Sequence, residues 1–223
     1  MAHVITRITR PSKELIQAFA KLGSATVYEA SGKKGYVNHN IKAVWPGARI
    51  CGPALTVSCP GGDNLMLHKA MTVAQPGDVL VAFTHDAVNY GYWGLTMSTS
   101  CTALGIAGLV IDGCVRDTEE IGKLGFPIFS RGACIRGTVK ETLGTINHPI
   151  VLGGAIVNPG DLILGDADGL VIIALSDAES ILKKSIERDK NEEKLMEQFR
   201  QKKTSLELAG FGKVLVAKGL TEE

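Results

Sequence analysis

The chain has 223 residues, of which 45% are hydrophobic and 21% charged, and its formal net charge is +1. Neither half carries a long basic run, so the charge pattern gives no indication of nucleic-acid binding. No apolar run is long enough to span a bilayer and no signal-peptide core is visible, which predicts a soluble cytoplasmic protein. The five cysteines show no paired spacing, as expected for reduced side chains in that compartment.

Helices and strands alternate along the first part of the chain. The apolar spacing, together with start and stop residues, predicts helices at 12–22, 26–30, 63–74, 95–104 and 118–124. Runs rich in β-branched residues predict strands at 48–59, 77–83, 109–112 and 127–132. Because strands and helices follow one another, the sequence predicts an α/β fold that contains a parallel βαβ unit.

The pattern changes after residue 150. Short apolar runs are separated by the turn sequences Asn158–Asp161 and Asp166–Gly169, which predicts antiparallel strands. The aspartates of these two turns are therefore expected to serve as turn carboxylates rather than as a metal cluster.

A long helix is predicted from Ser176, where Glu179 completes a capping-box pattern. The polar segment Glu187–Lys194 separates two apolar patches of this helix. The pattern favours a C-terminal helical arm, residues 176–223, that packs on a neighbouring subunit, while residues 1–175 form the α/β domain. A simple solvated stretch explains the polar segment equally well.

Charged residues follow the apolar strand in "GLVIDGCVRD", Gly108–Asp117. Ligands of parallel sheets bind beyond the carboxyl ends of the strands, where Asp112, Arg116 and Asp117 are expected to lie. A structural explanation is also available, in which Asp117 caps the helix that starts at Thr118 and pairs with Arg116 on the surface. From this stretch alone, the structural explanation is favoured.

The preceding connection supplies a second element of a site. Gly94 opens a helix, so that the backbone N–H groups of Leu95, Thr96 and Met97 can bind an anion. If the two connections face each other, a carboxylate on these amides can be clamped by the planar fork of Arg116. Asp117 is then available to hold a divalent cation such as Mg²⁺.

The motifs described so far, with "GDNLMLHKA", "GYWG", "GTVKETLG" and "GAIVNPGDLILGDADGLVII", resemble those of a known family. This family comprises the 4-carboxy-4-hydroxy-2-oxoadipate and 4-hydroxy-4-methyl-2-oxoglutarate aldolases. These class II pyruvate aldolases of aromatic compound catabolism share a fold with RraA, the protein regulators of ribonuclease E. The resemblance extends from about Thr26 to Arg200. It implies an RraA-like β/β/α sandwich with a mixed sheet, assembled as trimers or hexamers.

The resemblance also implies roles for individual residues. Asp117 would be the direct ligand of Mg²⁺ or Mn²⁺, and Arg116 would contact the oxygens of a 2-oxo acid substrate. The backbone from Gly94 to Met97 would bind the substrate carboxylate. Glu29 and Glu192, contributed by a neighbouring subunit, would hold the waters of the metal. The expected reaction is retro-aldol cleavage to pyruvate, with oxaloacetate decarboxylation as a side activity.

Leu95 departs from the family pattern, which has an acidic residue after the glycine. The loss of a carboxylate that orders the metal's waters typically costs ten- to a hundredfold in affinity or activity. Leu95 thus favours the alternative of a non-enzymatic, RraA-like regulator of a ribonuclease, whereas the long C-terminal helix favours the aldolase.

Other chemistry is less supported by the sequence. A Schiff-base aldolase needs a desolvated lysine, and the candidates Lys33, Lys69, Lys123 and Lys140 have no pattern that marks one. His68 can face the cleft, although a core or surface histidine is the simpler interpretation. Arg136 and Lys140 are candidates for contact with a second substrate carboxylate.

Overall fold

The computed structural model describes residues 2–222 and contains thirteen strands and eight α-helices in that part of the chain. The strands are β1 (His3–Val4), β2 (Lys42–Ala43), β3 (Ile50–Ser58), β4 (Val79–Phe83), β5 (Gly108–Asp112), β6 (Cys114–Val115), β7 (Ile128–Ser130), β8 (Gly132–Ala133), β9 (Thr145–Ile146), β10 (Ile150–Leu152), β11 (Ala155–Val157), β12 (Leu162–Asp166) and β13 (Gly169–Ile173). The helices are α1 (Lys13–Phe19), α2 (Ser24–Ala30), α3 (Leu65–Met71), α4 (Leu95–Ala103), α5 (Thr118–Leu124), α6 (Ala178–Arg200), α7 (Ser205–Leu208) and α8 (Phe211–Ala217). The alternation of elements predicted from the sequence is confirmed.

A mixed sheet of nine strands forms the centre of the fold. Its order is β1–β9–β3–β4–β5–β7–β2, and the antiparallel hairpin β12–β13 joins it through β3. Strands β3, β4, β5 and β7 run parallel to one another. The α/β class and the antiparallel segment after residue 150 are therefore confirmed.

The central strands are buried on both faces, which explains their continuous apolar sequences. In β4, Leu80 and Ala82 pack into the core cluster that contains residues of α3, α4 and α5. Val79 and Val81 alternate with them and pack into a cluster with residues of β10–β13, including Leu152. This arrangement has helices on one face of the sheet and a second β layer on the other.

Three helix starts differ from prediction by two residues, since α2 begins at Ser24 rather than 26, α3 at Leu65 rather than 63, and α6 at Ala178 rather than 176. The carboxylate of Asp63 accepts hydrogen bonds from the backbone N–H of Leu65 and from those of Glu141 and Thr142, so it joins α3 to a distant loop. The capping box at Ser176 is wrong, because Leu175–Asp177 form a 3-10 helix and α6 begins at Ala178. The Ser176 hydroxyl instead bonds the Asp177 carboxylate.

The chain divides into two compact units, one up to Ser185 and one from Ile186 onward. The second unit carries exposed apolar side chains, among them Met196, Phe199 and Phe211. The packing of this segment on a neighbouring subunit stays a prediction. Between residues 2 and 222, no helix combines the length and hydrophobicity that a membrane crossing requires.

Candidate active site

Two chain connections lie side by side at the carboxyl ends of β4 and β5. The segment after β4 pairs with the segment after β5 through a parallel bridge between Gly91 and Cys114. The Tyr92 N–H donates to the Cys114 carbonyl at 2.9 Å, and the Arg116 N–H donates to the Trp93 carbonyl at 2.9 Å. These bonds place Gly94 and the start of α4 next to Arg116 and Asp117, as the sequence argument required.

Asp117 does not cap its own helix. It occupies the position before α5, but its backbone is left-handed at φ 58° and ψ 36°, and its side chain makes no capping bond. A capping aspartate normally has an extended backbone that turns its carboxylate toward the helix it precedes. The Oδ2 atom of Asp117 instead accepts a hydrogen bond of 3.0 Å from the Leu95 N–H of α4. The expected capping role of Asp117 is therefore wrong, whereas its expected surface pairing with Arg116 is present at 3.9 Å.

Gly94 is required by the approach of this carboxylate rather than by its own backbone angles. Its φ of −153° is extended and open to any residue. A Cβ atom at this position would lie only 2.5 Å from Asp117 Oδ2 and 3.3 Å from Arg116 Cγ. A glycine here lets the Asp117 and Arg116 side chains lie against the start of α4.

The start of α4 offers fewer free backbone amides for an anion than the sequence suggested. The Leu95 amide already donates to Asp117, whereas the Thr96 and Met97 amides have no acceptor among residues 2–222. Arg116 faces the same region with its guanidinium Nε 3.9 Å from Asp117 Oδ2, and its side chain is 49% exposed. Two amides and one guanidinium are thus available to a carboxylate.

A cavity of about 180 Å³ adjoins these groups. We call it the Arg116 cleft, and it is lined by Asn64 and His68 of α3, by Gly91–Gly94 with Thr96 and Met97, by Arg116, and by Gly137, Thr138 and Lys140. The loop that carries Lys140 is held in place by the Asp63 carboxylate and by bonds of Val139 to Gly62 and Asn64. The sequence analysis named Lys140 of this loop as a candidate substrate contact but missed Gly137 and Thr138 as part of the cleft wall.

The α3 wall of the cleft contains two unsatisfied polar atoms. Asn64 Oδ1 and His68 Nε2 are shielded from solvent and have no hydrogen-bond partner among the described residues. Burial lowers the pKa of His68 below its ordinary value, and the positive charge of Lys140 lowers it further. Both effects favour the uncharged form of His68.

Glu29 does not line the Arg116 cleft, and Glu192 belongs to the second compact unit. Glu29 is exposed on α2, with Lys33 Nζ 3.8 Å from its carboxylate. Glu192 is on α6 and pairs with Arg188 at 2.8 Å. Among residues 2–222, no three His, Cys, Asp or Glu side chains gather into a metal-binding cluster. Water-mediated contact of Glu29 and Glu192 with a neighbour's metal stays a prediction.

Asp112 has a structural role. It is buried, and its carboxylate bonds the guanidinium of Arg131 and the backbone N–H of Gly153 at 3.3 Å. Arg131 also lines a larger, open cavity of about 480 Å³, whose lining contains no carboxylate. Both oxygens of Asp112 are engaged, whereas Asp117 Oδ1 makes no hydrogen bond within residues 2–222, so Asp117 is the candidate carboxylate of the site.

Residues 24–172 match the sequence model of the RraA-like family described as Aldolase/RraA. The chain belongs to this family. A Halalkalibacterium halodurans protein, provisionally named a 4-hydroxy-4-methyl-2-oxoglutarate aldolase, is 36% identical over 180 residues, 81% of this chain and 86% of the relative. An uncharacterised Methanocaldococcus jannaschii protein is 32% identical over 67% of this chain and 73% of its own length.

Solved structures of RraA-like proteins share the fold. RraAS2 of Streptomyces coelicolor, described as an unusual member of the RNase ES inhibitor RraA family, superposes with a TM-score of 0.75 at 28% identity. The match covers 84% of this chain and 98% of RraAS2. An uncharacterised Pseudomonas syringae protein gives a TM-score of 0.82 at 25% identity, over 92% of this chain and 97% of its own. The RraA-like fold implied by the sequence motifs is confirmed.

Proposed function

We propose that this RraA-like protein is a divalent-metal-dependent aldolase that cleaves 4-hydroxy-2-oxo acids to pyruvate and a second oxo acid. The observation that carries the proposal is the Asp117 carboxylate, which is turned away from its own helix toward Arg116 and the start of α4. The aldolase names of curated relatives support the same activity.

The donor set fits a Mg²⁺ or Mn²⁺ ion. Asp117 presents a hard oxygen ligand, its Oδ1 makes no hydrogen bond within residues 2–222, and its side chain is 42% exposed. Mg²⁺ commonly takes one or two protein carboxylates and keeps several waters. Such an ion would withdraw electrons from the C2 carbonyl of a 2-oxo acid. We further propose that Glu29 and Glu192 of a neighbouring subunit, in a trimer or hexamer, hold its waters.

The remaining groups of the site suit a 2-oxo acid. The free amides of Thr96 and Met97 can bind its carboxylate at the positive end of α4. Arg116 can contact the C2 oxygen and stabilise the negative charge that grows there as the C3–C4 bond breaks. Oxaloacetate decarboxylation forms the same pyruvate enolate, so we expect it as a side activity.

The test is pyruvate formation from a panel of substrates. The panel holds 4-hydroxy-4-methyl-2-oxoglutarate, 4-carboxy-4-hydroxy-2-oxoadipate and oxaloacetate, each assayed with Mg²⁺, with Mn²⁺ and with EDTA. We expect metal-dependent turnover that Asp117→Ala abolishes. Absence of turnover by the wild type, or equal turnover by the variant, would refute the proposal.

A Schiff-base mechanism has less support. Lys33 and Lys123 are exposed and pair with Glu29 and Glu119, and Lys69 is exposed on α3. Lys140 lines the Arg116 cleft but is itself exposed. All four side chains are exposed, whereas a Schiff-base lysine needs a desolvated pocket. Borohydride treatment in the presence of pyruvate is expected to leave the chain unmodified.

Regulation of a ribonuclease is the second candidate. Leu95 favours it, because it replaces the acidic residue that the aldolase pattern contains, and so does the likeness to RraAS2 of Streptomyces coelicolor. Capture of a purified ribonuclease E-type enzyme, combined with no pyruvate formation from the panel, would establish the regulator in place of the aldolase.

A further inference from the structure

Asn64, the residue before α3, and His68 of α3 line the Arg116 cleft from positions four residues apart. Asn64 is 5% exposed, and its Nδ2 donates to the Tyr92 carbonyl at 2.8 Å, which fixes the orientation of the amide. Its Oδ1 and the Nε2 of His68 have no partner, and within residues 2–185 the one further such atom is on Asn147. Buried polar atoms are nearly always hydrogen-bonded. Two unsatisfied atoms on a single wall mark where polar groups of a ligand belong.

The surroundings of His68 favour its uncharged form. Burial and Lys140 lower its pKa, and Arg116 adds a second positive charge to the lining of the cleft. Asp63, at the start of α3, is bonded to backbone amides of the 141–142 loop. Cys59, which follows the strand packed on α3, is neutral because burial raises the pKa of its thiol to about 12. Neither provides a free negative charge that would favour a protonated His68.

The proposed cleavage requires a base for the proton of the C4 hydroxyl. Within residues 2–222, no carboxylate side chain lines the cleft, and the position after Gly94, acidic in the aldolase pattern, is Leu95. The ammonium of Lys140 cannot accept a proton, and the Tyr92 hydroxyl is engaged by Gly62 and Ala87. Among the lining side chains, His68 is the neutral base.

We propose that His68 removes the C4-hydroxyl proton in the retro-aldol reaction, an inference that rests on the proposed function. The proton passes from the C4 oxygen to Nε2 of His68, and the C4–O bond becomes a carbonyl. The C3–C4 bond breaks, and its electron pair forms the C2–C3 enolate with negative charge on the C2 oxygen. Protonation of C3 by the imidazolium then releases pyruvate and restores neutral His68.

Two substrates separate this role from a structural one. Oxaloacetate yields the same enolate by losing CO₂ and has no C4 hydroxyl, so its decarboxylation does not need the base. We expect His68→Gln to lower kcat/KM for 4-hydroxy-4-methyl-2-oxoglutarate by about 10²- to 10⁴-fold, the usual contribution of a general base. Oxaloacetate decarboxylation should stay within a few-fold of wild type. The control is His39→Gln, which changes an exposed histidine outside the cleft and should preserve both activities.

The pH dependence gives a second test that does not rely on the folding of a variant. The rate of wild-type aldol cleavage should fall as pH falls through the pKa of His68, because the base becomes protonated. We call this decrease the acid limb of the pH profile, and the profile of decarboxylation should lack it. Lys140→Met removes a positive charge, so it should move the limb to higher pH. The NMR titration of the His68 ring in the metal-free protein should shift in the same direction.

The outcomes separate this inference from the proposed function. Equal losses of both activities in His68→Gln, or an aldol profile with the same acid limb as decarboxylation, would overturn the role of His68 while leaving the aldolase intact. A wild-type protein that releases pyruvate from neither substrate would overturn the proposed function itself.

Discussion

Two Asp–Arg pairs lie near the end of strand β5, and they differ in what surrounds them. Asp112 is buried, and its carboxylate is satisfied by Arg131 and the Gly153 amide. Asp117 is 42% exposed, receives one amide bond from Leu95, and stands 3.9 Å from the Arg116 Nε. The first pair has the surroundings of a structural interaction, whereas the second has a carboxylate oxygen, Asp117 Oδ1, that makes no hydrogen bond within residues 2–222.

The position of two charged residues in the sequence therefore does not reveal the role of the pair that they form. A buried carboxylate must be satisfied within the chain, because an unpaired buried charge is costly. An exposed carboxylate that bonds another helix rather than its own remains available to a ligand. Substitutions at the two sites should therefore have opposite consequences for folding and for activity.

The largest expected effect is on activity at Asp117. We expect Asp117→Asn to reduce metal-dependent pyruvate formation by at least about 10³-fold, since it removes the proposed direct ligand. The midpoint of urea unfolding should barely change, because an exposed ion pair contributes little to stability. Steady-state kinetics and urea titration measure the two quantities. A large loss of stability would mean that Asp117, like Asp112, has a structural role.

The reverse result is expected at Asp112. Asp112→Asn leaves the Arg131 charge without its buried partner, which should lower the free energy of unfolding by about 3 kcal/mol. The protein that remains folded should keep its activity within a few-fold. Urea unfolding followed by circular dichroism tests the first statement, and assays below the unfolding transition test the second. Loss of activity without loss of stability would reverse the assignment.

A smaller effect is expected at Gly94. The Cβ of Gly94→Ala would meet Asp117 Oδ2 at 2.5 Å, so the carboxylate must move. A displacement of about 1 Å can cost on the order of a hundredfold in rate. Gly137→Ala is the matched control, because Gly137 lines the same cleft and a Cβ there meets no atom within 4 Å. Equal kcat/KM values for the two variants would show that the position of Asp117 is not critical.

The smallest effect is expected at Leu95. Leu95→Asp restores the acidic residue of the aldolase pattern next to Asp117, and it should strengthen metal binding about tenfold by holding the metal's waters. Leu95→Asn is the neutral control. The concentration of Mn²⁺ that gives half-maximal activity measures the effect. Unchanged or weaker metal activation in Leu95→Asp would mean that Leu95 is not what limits metal affinity in this chain.

Most of the strand and helix bounds around the site could be predicted from local sequence. The strand before Asp112, the start of α4 at Leu95 and the end of α5 at Gly125 follow from apolar runs and from glycine and turn chemistry. Ligand sites beyond the carboxyl ends of parallel strands follow from the topology. Gly94 follows β4 and Arg116 follows β5. These two residues therefore face each other if β4 and β5 are neighbours in the sheet.

The rest depends on contacts between residues far apart in sequence. The pairing of Asp112 with Arg131 and the attachment of the 138–142 loop to Asp63 join segments that no local pattern links. The left-handed backbone of Asp117 and the unsatisfied atoms of Asn64 and His68 are also products of tertiary packing. A buried aspartate such as Asp63 leaves no sequence signal that separates it from a helix cap.

The most direct test of the account is metal binding itself. Mn²⁺ binding to wild type, Asp117→Asn and Asp112→Asn can be measured by electron paramagnetic resonance in the presence of pyruvate. We expect saturable binding by wild type and by folded Asp112→Asn, and no saturable binding by Asp117→Asn. Equal binding by Asp117→Asn and wild type would contradict it.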